Sequence, residues 1–502
     1  MTKLKSRVSA GVLAALLISA SLLSCSDTEK QPTETQTPDS AASDAVTDSV
    51  DEGPYYEPDD LPEDLDYDGI TTHILGWEGS SNIEFFVEEE DGDIVNDAIF
   101  ARNRTVEERL NLKLTYTLVP GTYDDRAAWV KTVSQSAMAG DSSNDIVAGY
   151  SMCGATLANN RLLIDLTEQE HIDFDKPWWP DSLIKEATCG GKLYFCSGDI
   201  STNMIYMLYA LYFNKTMAQN YDIEVESLYE LVRNGEWTLD KYIELTEGMY
   251  VDLNGDGMKS PEDQFGSTVQ AVRSDAYFFS SGLRTTTLDA DGYPVLSEDF
   301  GGEKTQELLS RLLDAFYTKN DMFFTNDSHE IVRNQFLEGR AMFLTNDLGF
   351  AAQSLRDSTI EYGILPLPKY DVEQEDYYTI SSFGYTLYGI PVDARDAAMS
   401  AAILECLASE SYRSVSPALF EVALKVKYAS DDNASDMYDI IRDSNVFDIG
   451  RIFNDSIGGR TYSLFRSSLI NNDKAWISTY EKNAKSMEKQ FEEVVENLIE
   501  EQ

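Results

Sequence analysis

From Ile70 onward, short apolar runs alternate with longer amphipathic ones, and that alternation limits the folds open to this chain. Ile70-Thr-Thr-His-Ile-Leu-Gly reads as a first strand, ending in a glycine turn at Gly76-Trp77. A helix follows over about Asp93 to Leu110, with Val95, Ala98, Ile99, Val106 and Leu110 near one face. Leu112-Lys-Leu-Thr-Tyr-Thr-Leu is the next strand and Trp129 to Ala139 the next helix. Asp145-Ile-Val-Ala-Gly is a third strand, with Tyr150 in the turn at its end. Such a βαβαβ order predicts an open α/β sheet, which places ligands beyond the carboxyl ends of its strands.

The same alternation continues with more helix. Leu208 to Phe213 is a strand, Thr238 starts a helix running to about Tyr250, and Gly301 to Tyr317 and His329 to Glu338 are amphipathic helices. Ala341-Met-Phe-Leu, Tyr362-Gly-Ile-Leu-Pro and the run from Tyr385 to Pro391 are strands. Helices from Asp396 to Ser409 and from Trp476 to Glu500 complete the pattern. A length of 502 residues predicts two or three domains, each able to bury a core.

Charge removes several classes of function. Lys and Arg number 39 against 88 Asp and Glu, a formal net charge of −49. Phosphate backbones and anionic lipid surfaces repel such a chain, which argues against nucleic-acid binding. The 3 histidines leave little room for histidine catalysis or histidine-rich metal sites. Lys3, Lys5 and Arg7 precede an apolar run from Val8 to Leu23, shorter than the roughly 20 residues of a membrane span. That is the layout of a secretory signal over residues 1–24. Its end, Leu22-Leu23-Ser24-Cys25, resembles the bacterial lipobox, in which the cysteine thiol carries the lipid and becomes the first mature residue. The expected location is therefore extracytoplasmic, with the membrane reached through a lipid anchor at Cys25. Residues 25–68, rich in Thr, Ser, Pro, Asp and Glu, predict a disordered acidic linker. Cys189 and Cys196 flank a hairpin at Gly190-Gly191. A disulfide across it and four unpaired thiols, with Cys153 and Cys406, both fit the spacing.

The sharpest local motif runs from Asp252 to Asp263. Asp252, Asn254, Asp256, Ser260 and Asp263 fall at positions 1, 3, 5, 9 and 12 of a calcium loop, with Gly257 at position 6. Met258 at position 7 would lend its backbone carbonyl. Asp in place of Glu at the last position shortens the reach, and Gln264-Phe-Gly-Ser-Thr-Val continues as a strand, not as an exit helix. The expectation is a structural Ca²⁺. No Gly-x-Ser-x-Gly, Walker loop, His-Glu-x-x-His or Gly-x-Gly-x-x-Gly opening a helix occurs. Aromatic residues are plentiful, with 28 Tyr and 6 Trp offering flat faces for sugar rings. Trp77 and Tyr150 stand at strand ends where a ligand would lie, whereas Trp178-Trp179 reads as core packing.

Asp145-Ile-Val, the strand ending in Tyr212-Phe-Asn-Lys215, Glu236-Trp-Thr-Leu-Asp240, Phe336-Leu-Glu-Gly-Arg-Ala-Met-Phe343 and Gly363-Ile-Leu-Pro-Leu-Pro-Lys369 form a series over residues 70–500. In order and spacing this series resembles the extracellular solute-binding lipoproteins of bacterial ABC importers, in the maltose-binding-protein-like, sugar-binding group. Asp97-Ala-Ile-Phe100 with Arg102-Asn-Arg-Thr-Val-Glu-Glu108, and the stretch from Tyr428 to Phe447, are similar to its large Firmicutes-type branch. The resemblance implies a two-lobed, periplasmic-binding-protein-like α/β fold of type II, with the hinge crossed three times. Residues 69–200 and 383–447 would form one lobe, and 201–382 and 448–502 the other. A solute, expected to be a mono- or oligosaccharide, would sit between them and pass to the permease subunits. Trp77, Tyr150, Asp199 and Asp347 are the expected contacts, the last two from the Gly198-Asp199-Ile200 crossing and a turn at Thr345-Asn346-Asp347. A secreted carbohydrate-active hydrolase is the enzyme alternative and a surface adhesion module a third.

Overall fold

The computed structural model describes residues 55–79, 83–356, 358–428 and 432–500. Cys25 and the signal expected over 1–24 lie outside the described residues. Three strands open the fold: β1 (Ile70–Glu78), β2 (Leu112–Pro120) and β3 (Ile146–Tyr150). β1 lies between the other two and is parallel to both. The connecting helices are α1 (Ile94–Leu110) and α2 (Arg126–Ala139). Their ends follow from local chemistry. The Asp93 carboxylate accepts the Val95 and Asn96 N–H groups at the start of α1, and Asn111, at φ 45°, turns the chain out of it.

The chain then builds a second sheet from β4 (Tyr209–Asn214), β5 (Phe265–Gln270), β6 (Met322–Thr325), β7 (Ala341–Asp347) and β8 (Tyr362–Leu365). The spatial order is β8-β4-β7-β5-β6, with β4 antiparallel to both neighbours. Every residue of β4, β5 and β7 is buried, as expected of strands covered on both faces, and β4 is written as a near-continuous apolar run. Gly363 allows β8 its close approach, since a Cβ there would stand 2.2 Å from the Phe213 ring. Finally β9 (Thr386–Gly389) returns to the first sheet and pairs antiparallel with β3, giving the order β9-β3-β1-β2. The last helix, Trp476–Ile499, spans the two halves. Trp476 Nε1 donates to the Phe300 carbonyl at one end, and at the other Tyr194 Oη donates to the Leu498 carbonyl.

Two segments depart from expectation. The helix Asp432–Asp443 packs on β8 of the second sheet, although residues 383–447 were expected in the first lobe. Residues 55–68, expected as part of the disordered linker, are instead docked. Leu61 is 7% exposed, Asp59 is paired with Arg109 at 2.5 Å and Arg413 at 3.4 Å, and Lys176 meets Asp60 at 3.0 Å. Tyr55 accepts from Arg442 and donates to Glu421. The reason is electrostatic. Self-repulsion of an acidic segment predicts extension, but here a patch of Arg109, Lys176, Arg413 and Arg442 offsets it. The four remaining cysteines are unpaired and buried, with Cys189 and Lys192 exchanging backbone hydrogen bonds across the Gly190-Gly191 turn.

Burial alone would raise the pKa of Asp59. The hydrogen bonds from Arg109 and Ser409 outweigh it and bring the value down to about 2. A depressed folded pKa means stability that is complete above the unfolded value and lost as pH falls toward 2. Asp59→Asn should therefore lower stability by roughly 2 kcal/mol at pH 7 and flatten the acid limb of a melting-temperature profile between pH 4 and 2. An unchanged profile would mean that the segment is not held by this carboxylate.

Candidate functional site

Where β1 and β3 end, glycines make room for tryptophans. A Cβ at Gly149 would stand 2.7 Å from the Trp129 ring, and one at Gly121 would meet Trp77 at 2.6 Å and Trp129 at 2.8 Å. Trp129 Nε1 donates to the Gly76 carbonyl at 3.1 Å, and Trp77 Nε1 donates to Thr386 Oγ1 at 2.8 Å. Trp77 is thereby fixed between β1 and β9. The Tyr150 ring meets it edge to face, with centroids 5.5 Å apart. Trp77 and Tyr150 are thus brought together, but both are well covered, at 3% and 9% exposed. Burial drives the Tyr150 phenol far above its usual range, with the charges of Tyr462, Arg451, Tyr209 and Cys153 bearing on it in smaller measure. Tyr150 closes β3 as its last residue and leads directly into the helix Ser151–Asn159, so no loop follows the strand.

Across from this pair stands the second half of the chain. Asp347 ends β7 as a strand residue, not in a turn, and lies opposite Tyr209 in register. It is buried and tied to Arg273 at 3.1 Å and to Arg333 at 3.9 Å. Asp275 receives the Arg466 guanidinium through both carboxylate oxygens. Arg126 of α2, stacked 4.0 Å over the Tyr123 ring, reaches over to Asp455 at 2.6 Å, joining the two halves beside the same site. Sequence reasoning missed this set of arginines. Single arginines carry no spacing signal, and only the fold gathers them.

Asp199 lies elsewhere. It lines a separate pocket of about 650 Å³ with Pro180, Met204, Tyr412 and Arg442, and accepts the Ser416 hydroxyl. The physical reason is that Gly198, at φ +156°, turns the chain so that the Asp199 N–H bonds the Trp178 carbonyl. Trp178 and Trp179 are core residues, 0% and 1% exposed.

The loop expected to hold calcium turns as its glycines require, with Gly255 and Gly257 at φ +73° and +71°. Its side chains serve the loop's own backbone. Asp252 accepts from Gly255 and Gly257, Asn254 from Asp256, Asp256 from Met258, and Asp263, fully buried, from Leu253 and Ser260. Among the described residues, no group of three or more His, Cys, Asp or Glu side chains is gathered to hold a metal ion.

Burial raises the Asp199 carboxyl to about 6, with the Ser416 hydrogen bond and Arg442 opposing it. A carboxyl raised in the folded state keeps its proton where the unfolded chain has released it. Stability therefore falls as pH rises from about 4 to 6. Because the group borders an open pocket, the effect is held to about 2 kcal/mol. Asp199→Asn should raise the melting temperature above pH 6, give no gain at pH 4 and leave solute affinity unchanged. Loss of binding in that variant would return Asp199 to the solute site.

No protein-family model matches the chain, and no curated protein matches it in sequence. Its fold, by contrast, is shared. The galacto-N-biose/lacto-N-biose I-binding protein of an ABC transporter from Bifidobacterium longum, in complex with lacto-N-biose, aligns at a TM-score of 0.56 and 10% identity, over 85% of this chain and 98% of its own. The extracellular solute-binding protein from Staphylococcus aureus, in complex with maltose, aligns at 0.54 and 12% identity, over 84% and 98%. An ABC substrate-binding protein from Listeria monocytogenes, in complex with cycloalternan, aligns at 0.53 and 11% identity, over 85% and 100%. With its two sheets and returning strand, the chain has the two-lobed α/β fold of the maltose-binding-protein-like solute-binding proteins of ABC transporters.

Proposed function

We propose that this protein captures a carbohydrate between its two lobes and delivers it to the permease of an ABC importer. The observation that carries the reading is the Trp77–Tyr150 pair. Two aromatic side chains meet edge to face at the carboxyl ends of β1 and β3, in a fold whose solved relatives include maltose and lacto-N-biose complexes. Aromatic faces supply apolar contact for the C–H side of a sugar ring, while arginine and aspartate side chains bond its hydroxyl groups. Arg451, Tyr209 and Tyr462 of the second half bear on the buried Tyr150 side chain, so the lobes must part to admit a solute there and close on it. The solute contacts both lobes only when they are shut. It therefore favours the closed form, which a permease can distinguish from the open one. The hydrolase reading needs a free acid and base. Asp275 and Asp347 of the second half are both engaged by arginines. The Cys25 motif supports lipid anchoring outside the cytoplasm, and among the described residues no helix is long and apolar enough to cross a membrane.

A thermal-shift panel of mono- and oligosaccharides tests this. A saccharide present at 100 times its Kd should add about 2.7 kcal/mol to stability. Tyr150→Phe should fold as the parent does and bind that saccharide more weakly. Stabilisation by amino acids or short peptides, with no saccharide active, would replace the carbohydrate reading.

The Asp252–Asp263 loop supports a second, structural proposal: Ca²⁺ held by Asp252, Asn254, Asp256, Ser260, Asp263 and the Met258 carbonyl. The ion would relieve the repulsion among three carboxylates and pin the loop between Thr246 and β5. Chelator should lower the melting temperature, and Asp256→Ala should remove that response. No heat of Ca²⁺ binding in calorimetry would leave an acidic turn held by its own backbone.

A further inference from the structure

Arg451 is a buried charge whose guanidinium makes no salt bridge among the described residues. It lies in the short helical turn Ile449–Ile452, capped by Asp448, whose carboxylate accepts the Arg451 N–H at 2.7 Å. That carboxylate is fully committed, accepting also the N–H and hydroxyl of Thr285. The Arg451 side chain is 2% exposed, and its Nε and Nη2 are buried without a hydrogen-bond partner. Aromatic rings surround it instead. Its guanidinium carbon stands 3.7 Å over Phe383, 5.5 Å from the Tyr462 ring centre and 5.7 Å from that of Phe279. Cation–π contact orients a guanidinium without using its N–H groups. Neighbouring arginines differ: Arg466 is clamped by Asp275, and Arg273 by Asp347. Among the described residues no acidic side chain pairs with this guanidinium, and its buried Nε and Nη2 are strong donors left for a group from outside the chain.

Its position says what satisfies them. Phe383 belongs to the crossing segment between the lobes. Ser382 there donates its N–H to Met207, and the Phe383 carbonyl accepts the Ser151 hydroxyl just beyond β3. The guanidinium therefore lies at the floor between the lobes. There its charge bears on the Tyr150 hydroxyl from one lobe and on Tyr209 from the other.

Resting on the carbohydrate reading above, we infer that the solute is an acidic saccharide, and that its anionic group docks on the Nε and Nη2 edge of Arg451. A planar guanidinium with two free donors on one edge matches a carboxylate or a sulfate oxygen pair. The ring stack holds it in place before the solute arrives.

Calorimetry with matched sugars decides the matter: neutral galacto-oligosaccharides, oligogalacturonates and a sulfated galactose, each against the parent, Arg451→Gln and Arg451→Lys. The parent should bind one acidic class roughly ten- to a hundredfold more tightly than its neutral counterpart. Carboxylate and sulfate arms identify the acid. Arg451→Gln should lose that preference while keeping any neutral affinity, and Arg451→Lys should keep part of it. Neutral sugars that bind the parent as tightly as acidic ones would overturn the inference and leave the carbohydrate reading standing. Binding of non-sugar carboxylates alone, lost in Arg451→Gln, would support the anion site and overturn the carbohydrate reading. If Arg451→Gln fails to fold, the acid-over-neutral preference of the parent and the partial retention in Arg451→Lys still decide.

Discussion

Thr386–Gly389 pairs antiparallel with Val147–Tyr150, and that pairing shapes the rest of the molecule. The chain reaches it only after completing a five-stranded sheet, so the segment just before it must run from one half to the other. Phe383 and Tyr385 are therefore fixed at the crossing by backbone hydrogen bonds made on either side of them. Trp77 is fixed by the same strand, through Thr386. The Trp77 indole, bonded to Thr386, and the Phe383 ring under Arg451 are thus both placed by a single short strand that returns to the first sheet.

Much of this fold was legible in the sequence because its strands are written in two clear ways. Half-buried β2 alternates, and doubly covered β4 and the first four residues of β7, Ala341 to Leu344, are near-continuous apolar runs. Helix starts were legible wherever a short polar residue caps them, as Asp93, Thr238, Ser328 and Asp396 do. The site was only half legible. Trp77 and Tyr150 follow from the rule that ligands lie beyond strand ends, and the structure brings them together. Asp199 was placed by its nearness to a crossing in sequence, but the backbone at Gly198 directs it to another pocket. Asp347 was read as a turn because Asn and Asp suit turns, although strand pairing with Tyr209 outweighs that preference. Arg451 was invisible, since nothing in the sequence around a single arginine tells that its Nε and Nη2 end up buried without a hydrogen-bond partner.

The charge distribution has a sense that its total conceals. A chain of net charge −49 repels anions at a distance, but at physiological salt that repulsion fades over about 8 Å. Inside the interlobe region, screening is weaker and local groups decide. There Asp275 and Asp347 pair with Arg466, Arg273 and Arg333, so acid and cation meet at short range inside an acidic body. The docking of residues 55–68 on Arg109, Arg413 and Arg442 follows the same logic at the surface. In both places local ion pairing, not the net charge of the whole, sets the field.

The C-terminal helix bears on how such a molecule could move. Its 24 residues make a rod of about 36 Å. Trp476 is buried against Phe300 at one end, and at the other the carbonyls of Leu498 and Ile499 are held by Tyr194 and Lys192. A rod fastened to both halves works as a strut. It resists their separation along its own axis, because drawing them apart would strip one set of anchors, and it leaves rotation about its ends as the cheaper motion. Opening would then be a swing about a braced edge, and a label on this helix would report angle more faithfully than distance.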